Sequence, residues 1–256
     1  MKARLLALVA TLLSADALAQ TQPLYVVPLQ PHAHTALRAG AHVTLALHSR
    51  DPSALAAQLQ VAAPPAGKPV EYALNPYRAP REAKSRTWRE STFVVDFEEQ
   101  IVTDLYEDLI EAETSTPNRE HFIRFVAATL TPTVGRGWDV ASTTAQRREG
   151  DCTEFAVTLT ALARAASLPA RVVTGIVIVQ TPQGPAAFGH AWSELKEGNE
   201  WRVADAALAG TEVVGYIPLG ALTNESASFT LDLAQLMQTW VQRIEVLPPA
   251  PARRTR

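Results

Sequence analysis

Residues 150–180, GDCTEFAVTLTALARAASLPARVVTGIVIVQ, constrain the fold more than any other part of the chain. In the first half Phe155, Leu159, Leu162, Ala163 and Ala166 recur at three-and-four spacing, which predicts a helix with one buried face, closed at Leu168-Pro169. The second half, Arg171–Gln180, is apolar on both faces and predicts a strand in the middle of a sheet. The chain must therefore pack a helix against a sheet, and the expected class is α+β.

The helix has a marked start. Asp151 followed three residues later by Glu154 forms a capping-box pattern, in which the Asp carboxylate accepts a backbone N–H and the Glu side chain reaches back. Cys152, the only cysteine in the sequence, then occupies the first helical position. Unpaired N–H groups and the positive end of the helix dipole favour a thiolate there, the form a cysteine nucleophile needs. A lone cysteine is more often packing than chemistry, so its position rather than its presence makes it a candidate.

Composition limits the setting. Lys2 and Arg4 precede the apolar run Leu5–Leu13, and Ala17-Leu18-Ala19 supplies small residues for a signal peptidase, so residues 1–19 are expected to be a signal peptide cleaved before Gln20. The run is too short to span a bilayer and no other stretch is long enough, which predicts an exported, periplasmic or secreted, protein without a membrane span. Losing residues 1–19 moves the formal charge from −3 to −4, against a nucleic-acid surface. One cysteine makes no internal disulfide and excludes a cysteine-rich zinc site. His32 and His34 have no carboxylate cluster beside them and read as a loop, so neither metal nor cofactor is expected.

Along the remaining chain, residues 20–62 predict a small β-rich unit, with Val43, Leu45 and Leu47 alternating as in a half-covered strand. The prolines between Pro64 and Pro80 mark a linker or an extended wrap, so residues 20–80 are expected to precede a catalytic domain over 91–248. Residues 80–90 are charged and expected to be exposed. A strand is predicted over 92–97, then helices from about Glu98 to Glu111 and from Pro117-Asn118 to Leu130, the second with His121 in its first turn. Strand character returns at 212–219 and 244–247, with a helix over 231–241 between them and a disordered tail over 249–256.

Phe188–Leu195 and Glu200–Asp205 predict a hairpin that sets His190 against Asp205. A loop at Glu197-Gly198 puts the two residues directly opposite; a loop at Gly198-Asn199 shifts the pairing by two. Either register keeps them on one face, within reach. Cys152, His190 and Asp205 then supply a nucleophile, a base and a carboxylate that fixes the imidazole's tautomer. The Cys152 backbone N–H is one oxyanion donor by position, and Trp138 and Trp192 are candidates for a second donor or for cleft walls.

The segments GDCTEFA, ALARAASLPARVVTG, GHAW and WRVADAAL together resemble the core of the transglutaminase-like superfamily, whose members are papain-like cysteine enzymes, over roughly residues 91–220. The resemblance implies a core in which the nucleophile starts a helix packed on an antiparallel sheet. It also implies acyl transfer at an amide or peptide bond of a protein or peptide substrate through a thioester, resolved by water or an amine. A non-catalytic binding or assembly module on the same fold is the competing reading. The chain departs from the family in carrying Ser167 where glycine commonly ends the cysteine helix, which leaves Pro169 as the expected stop, and Ala206 where proline commonly follows the aspartate. Gln146 is a weaker match to the glutamine of papain-like sites.

Overall fold

The computed structural model describes residues 25–33, 35–81, 87–113, 115–133, 138–229 and 241–248. The expected signal peptide, His34, the tail over 249–256 and all but Val241 of the expected helix over 231–241 lie outside the described residues, and Val241 itself begins a strand.

The described strands are β1 (Val26–Val27), β2 (Leu29–Gln30), β3 (Thr44–Ser49), β4 (Val70–Ala73), β5 (Thr131–Pro132), β6 (Glu149–Gly150), β7 (Ala170–Thr181), β8 (Gly184–Glu197), β9 (Glu200–Ala204), β10 (Val213–Ala221) and β11 (Val241–Val246). The described helices are α1 (Pro52–Gln58), α2 (Gln100–Ala112), α3 (Arg119–Thr129), α4 (Ala141–Arg147) and α5 (Cys152–Ala165). The fold is α+β. Its larger sheet runs β1-β8-β7-β10, with β9 also on β8, and every pairing in it is antiparallel. As its two-sided apolar pattern demands, β7 lies between β8 and β10.

Cross-strand pairing sorts the side chains of β7 and β8 into two faces. Arg171, Val173 and Gly175 pair with Glu194, Trp192 and His190 on one face. On the other, Ala170, Val172, Ala191 and Leu195 join the core made by α2, α3 and α5, where Leu105, Leu109, Phe122, Leu159 and Leu162 are fully buried. Farther along that face Ile176, Ile178 and Ala187 meet a second core, formed by α1 and a smaller sheet ordered β2-β11-β3-β4. In this sheet β11 runs parallel to β2 and antiparallel to β3, so a strand from the far end of the described chain is flanked by strands from its beginning.

Three sequence expectations change, and a fourth narrows to one of its two alternatives. Residues 92–97 are not a strand: Val94 and Val95 are fully buried in irregular backbone. Their polar groups are met singly, Val94 N–H by the Glu225 carbonyl, the Val94 carbonyl by Ala141 N–H, and Val95 N–H by the Thr92 hydroxyl. The proline-rich stretch contains β4, and Tyr72 and Leu74 are buried against β10, so it is a wrap rather than a free linker. Pro80 and Trp88 are buried in a stretch expected to be exposed, because buried Arg171 donates to the Pro80 carbonyl and its guanidinium lies 5.7 Å from the Trp88 ring centre. The cysteine helix ends not at Pro169 but at Ser167, in the left-handed region with φ 61°, where Leu168 N–H donates to the Ala163 carbonyl in a Schellman closure. Helices α1 and α4 were too short to leave a periodic trace.

Candidate active site

Helix α5 starts as its capping box requires. Asp151 accepts from Thr153 N–H at 2.8 Å, and Glu154 Oε2 accepts from Asp151 N–H at 2.9 Å. Glu154 does a second job: its Oε1 accepts from Asp139 N–H at 3.0 Å, tying the residue after Trp138 to the first turn of the helix. Glu154 is buried, and burial followed by the charge of Asp151 raises its carboxyl to about 7. Gly150 is needed here because a Cβ at that position would lie 2.3 Å from Glu154 Cβ. Cys152, half-buried, sits at the head of this turn.

The hairpin β8–β9 uses the Gly198-Asn199 loop: Glu197 pairs with Glu200 and Ser193 with Ala204. Gly198 takes φ 61°, the positive value that the first residue of a II′ turn requires. His190 and Asp205 are therefore diagonal neighbours, and His190 Nε2 lies 2.8 Å from Asp205 Oδ2 with both side chains buried. Asp205 Oδ1 accepts from Leu208 N–H at 3.2 Å and Oδ2 from the Tyr216 hydroxyl at 2.9 Å. With Nε2 on Asp205, Nδ1 is the ring nitrogen left for Cys152, which lies within hydrogen-bonding and electrostatic reach of the imidazole. Burial alone would depress the basicity of His190. The charge and hydrogen bond of Asp205, reinforced by Cys152, overcome it and raise the imidazole to about 10. At neutral pH the ring is a buried cation between two acidic groups.

The structure thus brings Cys152, His190 and Asp205 together. Trp192 is buried with its ring nearly parallel to the imidazole, 6.2 Å between centres at 21°. Its N–H is given to the Tyr77 hydroxyl at 3.2 Å, which removes Trp192 from the candidate oxyanion donors. Trp138 is half-buried on the core that also contacts Cys152. Gln146 is exposed on α4, and His121 serves the cap of α3, accepting from Asn118 N–H and pairing with Glu113, so neither is drawn into this cluster. Among the described residues no group of three His, Cys, Asp or Glu side chains is arranged to hold a metal. Tyr77 and Tyr216 carried no sequence signal: Tyr77 reaches the site from a segment 115 residues before Trp192, and Tyr216 from β10, the strand that follows Asp205.

The sequence model of the transglutaminase-like superfamily matches residues 112–206. No curated protein matches the chain. Solved structures similar to it include a candidate cysteine protease from Cytophaga hutchinsonii, 21% identical over 56% of this chain and 47% of that one, with a TM-score of 0.41. A TGase is 20% identical over 41% of this chain and 30% of that one, with a TM-score of 0.32. The periplasmic domain of TgpA from Pseudomonas aeruginosa is 21% identical over 40% and 42%, with a TM-score of 0.29. The chain spans less than half the length of each of these structures.

Proposed function

From the match of residues 112–206 to the transglutaminase-like superfamily we propose that the chain is a member of it and an exported cysteine enzyme of acyl transfer acting on an amide or peptide bond of a protein or peptide. The observation that carries the proposal is the buried imidazole of His190 held between Asp205 and Cys152. An imidazolium in that position stabilises a thiolate on Cys152 and is ready to give up its proton.

In the first half-reaction Sγ of Cys152 attacks the carbonyl carbon, and the oxyanion is met by the Cys152 backbone N–H, with Trp138 as the candidate second donor. Collapse breaks the C–N bond, His190 protonates the departing amine, and a thioester remains on Cys152. In the second half-reaction a water, or a second amine, loses a proton to His190 and attacks the thioester, releasing the acid or new amide and restoring the thiolate–imidazolium pair. Hydrolysis needs no second binding site and is the simpler outcome. Asp205 holds the ring orientation and balances its charge throughout.

Iodoacetamide separates this reading from a non-catalytic module. The proposal expects alkylation of Cys152 on the acidic side of neutrality, where an ordinary thiol is protonated. It expects Cys152→Ala to abolish labelling and acyl transfer with the fold intact. His190→Ala should slow labelling at neutral pH by about tenfold or more, and Asp205→Asn by less, because it weakens the imidazolium without removing the base. Alkylation that rises with pH only as for a free thiol, unchanged in His190→Ala, would leave the binding-module reading standing.

A further inference from the structure

Behind His190 and Asp205 lies a cluster of three aromatic rings: buried Trp192 on β8, half-buried Tyr216 on β10, and half-buried Tyr77 from the wrap after β4. Trp192 and Tyr216 are 5.0 Å apart between ring centres, and Tyr77 meets them edge-on at 6.5 and 6.3 Å. The hydroxyls are committed. Tyr216 donates to Asp205 Oδ2, the oxygen that also receives His190. Tyr77 accepts from Trp192 Nε1 and donates to Glu194 Oε1. Glu194 Oε2 is in turn held by Arg171, which also donates to the Pro80 carbonyl, three residues beyond Tyr77. Burial and the neighbouring carboxylates push both phenols well above the ordinary range, so both stay protonated and remain donors.

Gly175 makes room for the arrangement. It lies opposite His190, and a Cβ there would come within 2.8 Å of Trp192 Cη2 and 2.2 Å of the Ile217 carbonyl oxygen.

We propose that Tyr216 and Tyr77, both outside the family-matched residues 112–206, are positioning residues for the catalytic pair, Tyr216 by fixing the Asp205 carboxylate and Tyr77 by locking Trp192 flat against the imidazole. The inference rests on the acyl-transfer reading above. Asp205 can rotate about its Cβ–Cγ bond, and the Leu208 N–H restrains only Oδ1. The Tyr216 hydroxyl restrains the other oxygen and shares its charge, setting both the direction and the strength of the bond to His190. Trp192, without a hydroxyl to receive its N–H, would carry a buried donor unpaired and would move to satisfy it. The charged and titratable groups facing His190 are thus Asp205 and Cys152 directly, with Tyr216, Tyr77 and the Glu194–Arg171 pair behind Trp192.

The test is the pH profile of Cys152 alkylation by iodoacetamide in the full chain, read by mass spectrometry for wild type, Tyr216→Phe and Tyr77→Phe, with a thermal melt for each. Tyr216→Phe keeps the ring and loses only the donor. Its alkylation rate at neutral pH should fall by about threefold or more. Its high-pH limb, where the imidazolium is lost, should move up by about half a pH unit, because Oδ2 now holds the imidazolium proton without a competitor. Tyr77→Phe should lower the rate while leaving that limb in place, since Tyr216 still donates to Asp205. Profiles superimposable on wild type, or a limb that stays or moves down in Tyr216→Phe, would overturn the proposal, whatever the melting temperatures. If Tyr216→Phe does not fold, the rate in Tyr77→Phe decides. A wild-type profile that is that of a free thiol would instead overturn the acyl-transfer reading.

Discussion

Glu154 shows how far a single residue can be read from its neighbours in sequence. Its place three residues after Asp151 predicts the capping box, and the box is present. Its other oxygen, which holds Asp139 N–H and with it the Trp138 segment, could not be read, because that contact spans a stretch with no periodicity. Burial raises its carboxyl from 4.5 to about 7, so the folded protein binds this proton more tightly than the unfolded chain does. The associated stability is fully present below about pH 4.5 and is lost as pH rises through about 7, on the order of 3 kcal/mol in all. Glu154→Gln cannot titrate. In urea unfolding from pH 5 to 7.5, wild type should therefore lose stability relative to the variant as pH rises; a constant difference across the range would refute the assignment. The proposed triad was legible because Cys152 and His190 sit on elements with strong local patterns and Asp205 directly follows β9, and the hairpin parity kept His190 and Asp205 together in either register.

At the scale of elements, β7, β8, α2, α3 and α5 were legible within a few residues because each carries a long periodic pattern over a core face. Residues 92–97 misled for the opposite reason. Their apolar residues are buried, but the backbone is satisfied by Glu225, Ala141 and Thr92 rather than by a neighbouring strand. The end of α5 offers a test. Ser167 holds φ 61° with no glycine to make it easy, and the Schellman bond from Leu168 to Ala163 depends on that conformation. Ser167→Gly should stabilise the protein by about 1 kcal/mol by removing the left-handed penalty, seen as a higher urea midpoint with unchanged alkylation of Cys152. Equal or lower stability would show that the serine side chain supplies more than the glycine relieves.

For the whole molecule, the pairing of residues near 245 with residues near 30 and 47 is the feature that no local pattern could reveal. The expected boundary between a β-rich unit over 20–80 and a domain over 91–248 is crossed by β1 on β8, by β11 between β2 and β3, and by Arg171 on the Pro80 carbonyl. A chain beginning near residue 81 would leave Ile244 and Val246 without their sheet, and Ile176, Ile178 and Ile217 without their cover. We expect such a truncation to lose cooperative unfolding by circular dichroism and to label with iodoacetamide as a free thiol does. A truncated chain that melts cooperatively with the wild-type alkylation profile would restore the boundary at residue 80. The place of β11 also bears on the order of assembly. During synthesis β2 and β3 emerge early but have no strand to join them until residues 241–246 are made. The wrap that delivers Tyr77 hangs from that sheet through β4. A ribosome-bound chain that already contains Cys152, His190 and Asp205 therefore still lacks part of the frame behind them, and we expect its thiol to label as a free thiol does until residues 241–246 have emerged.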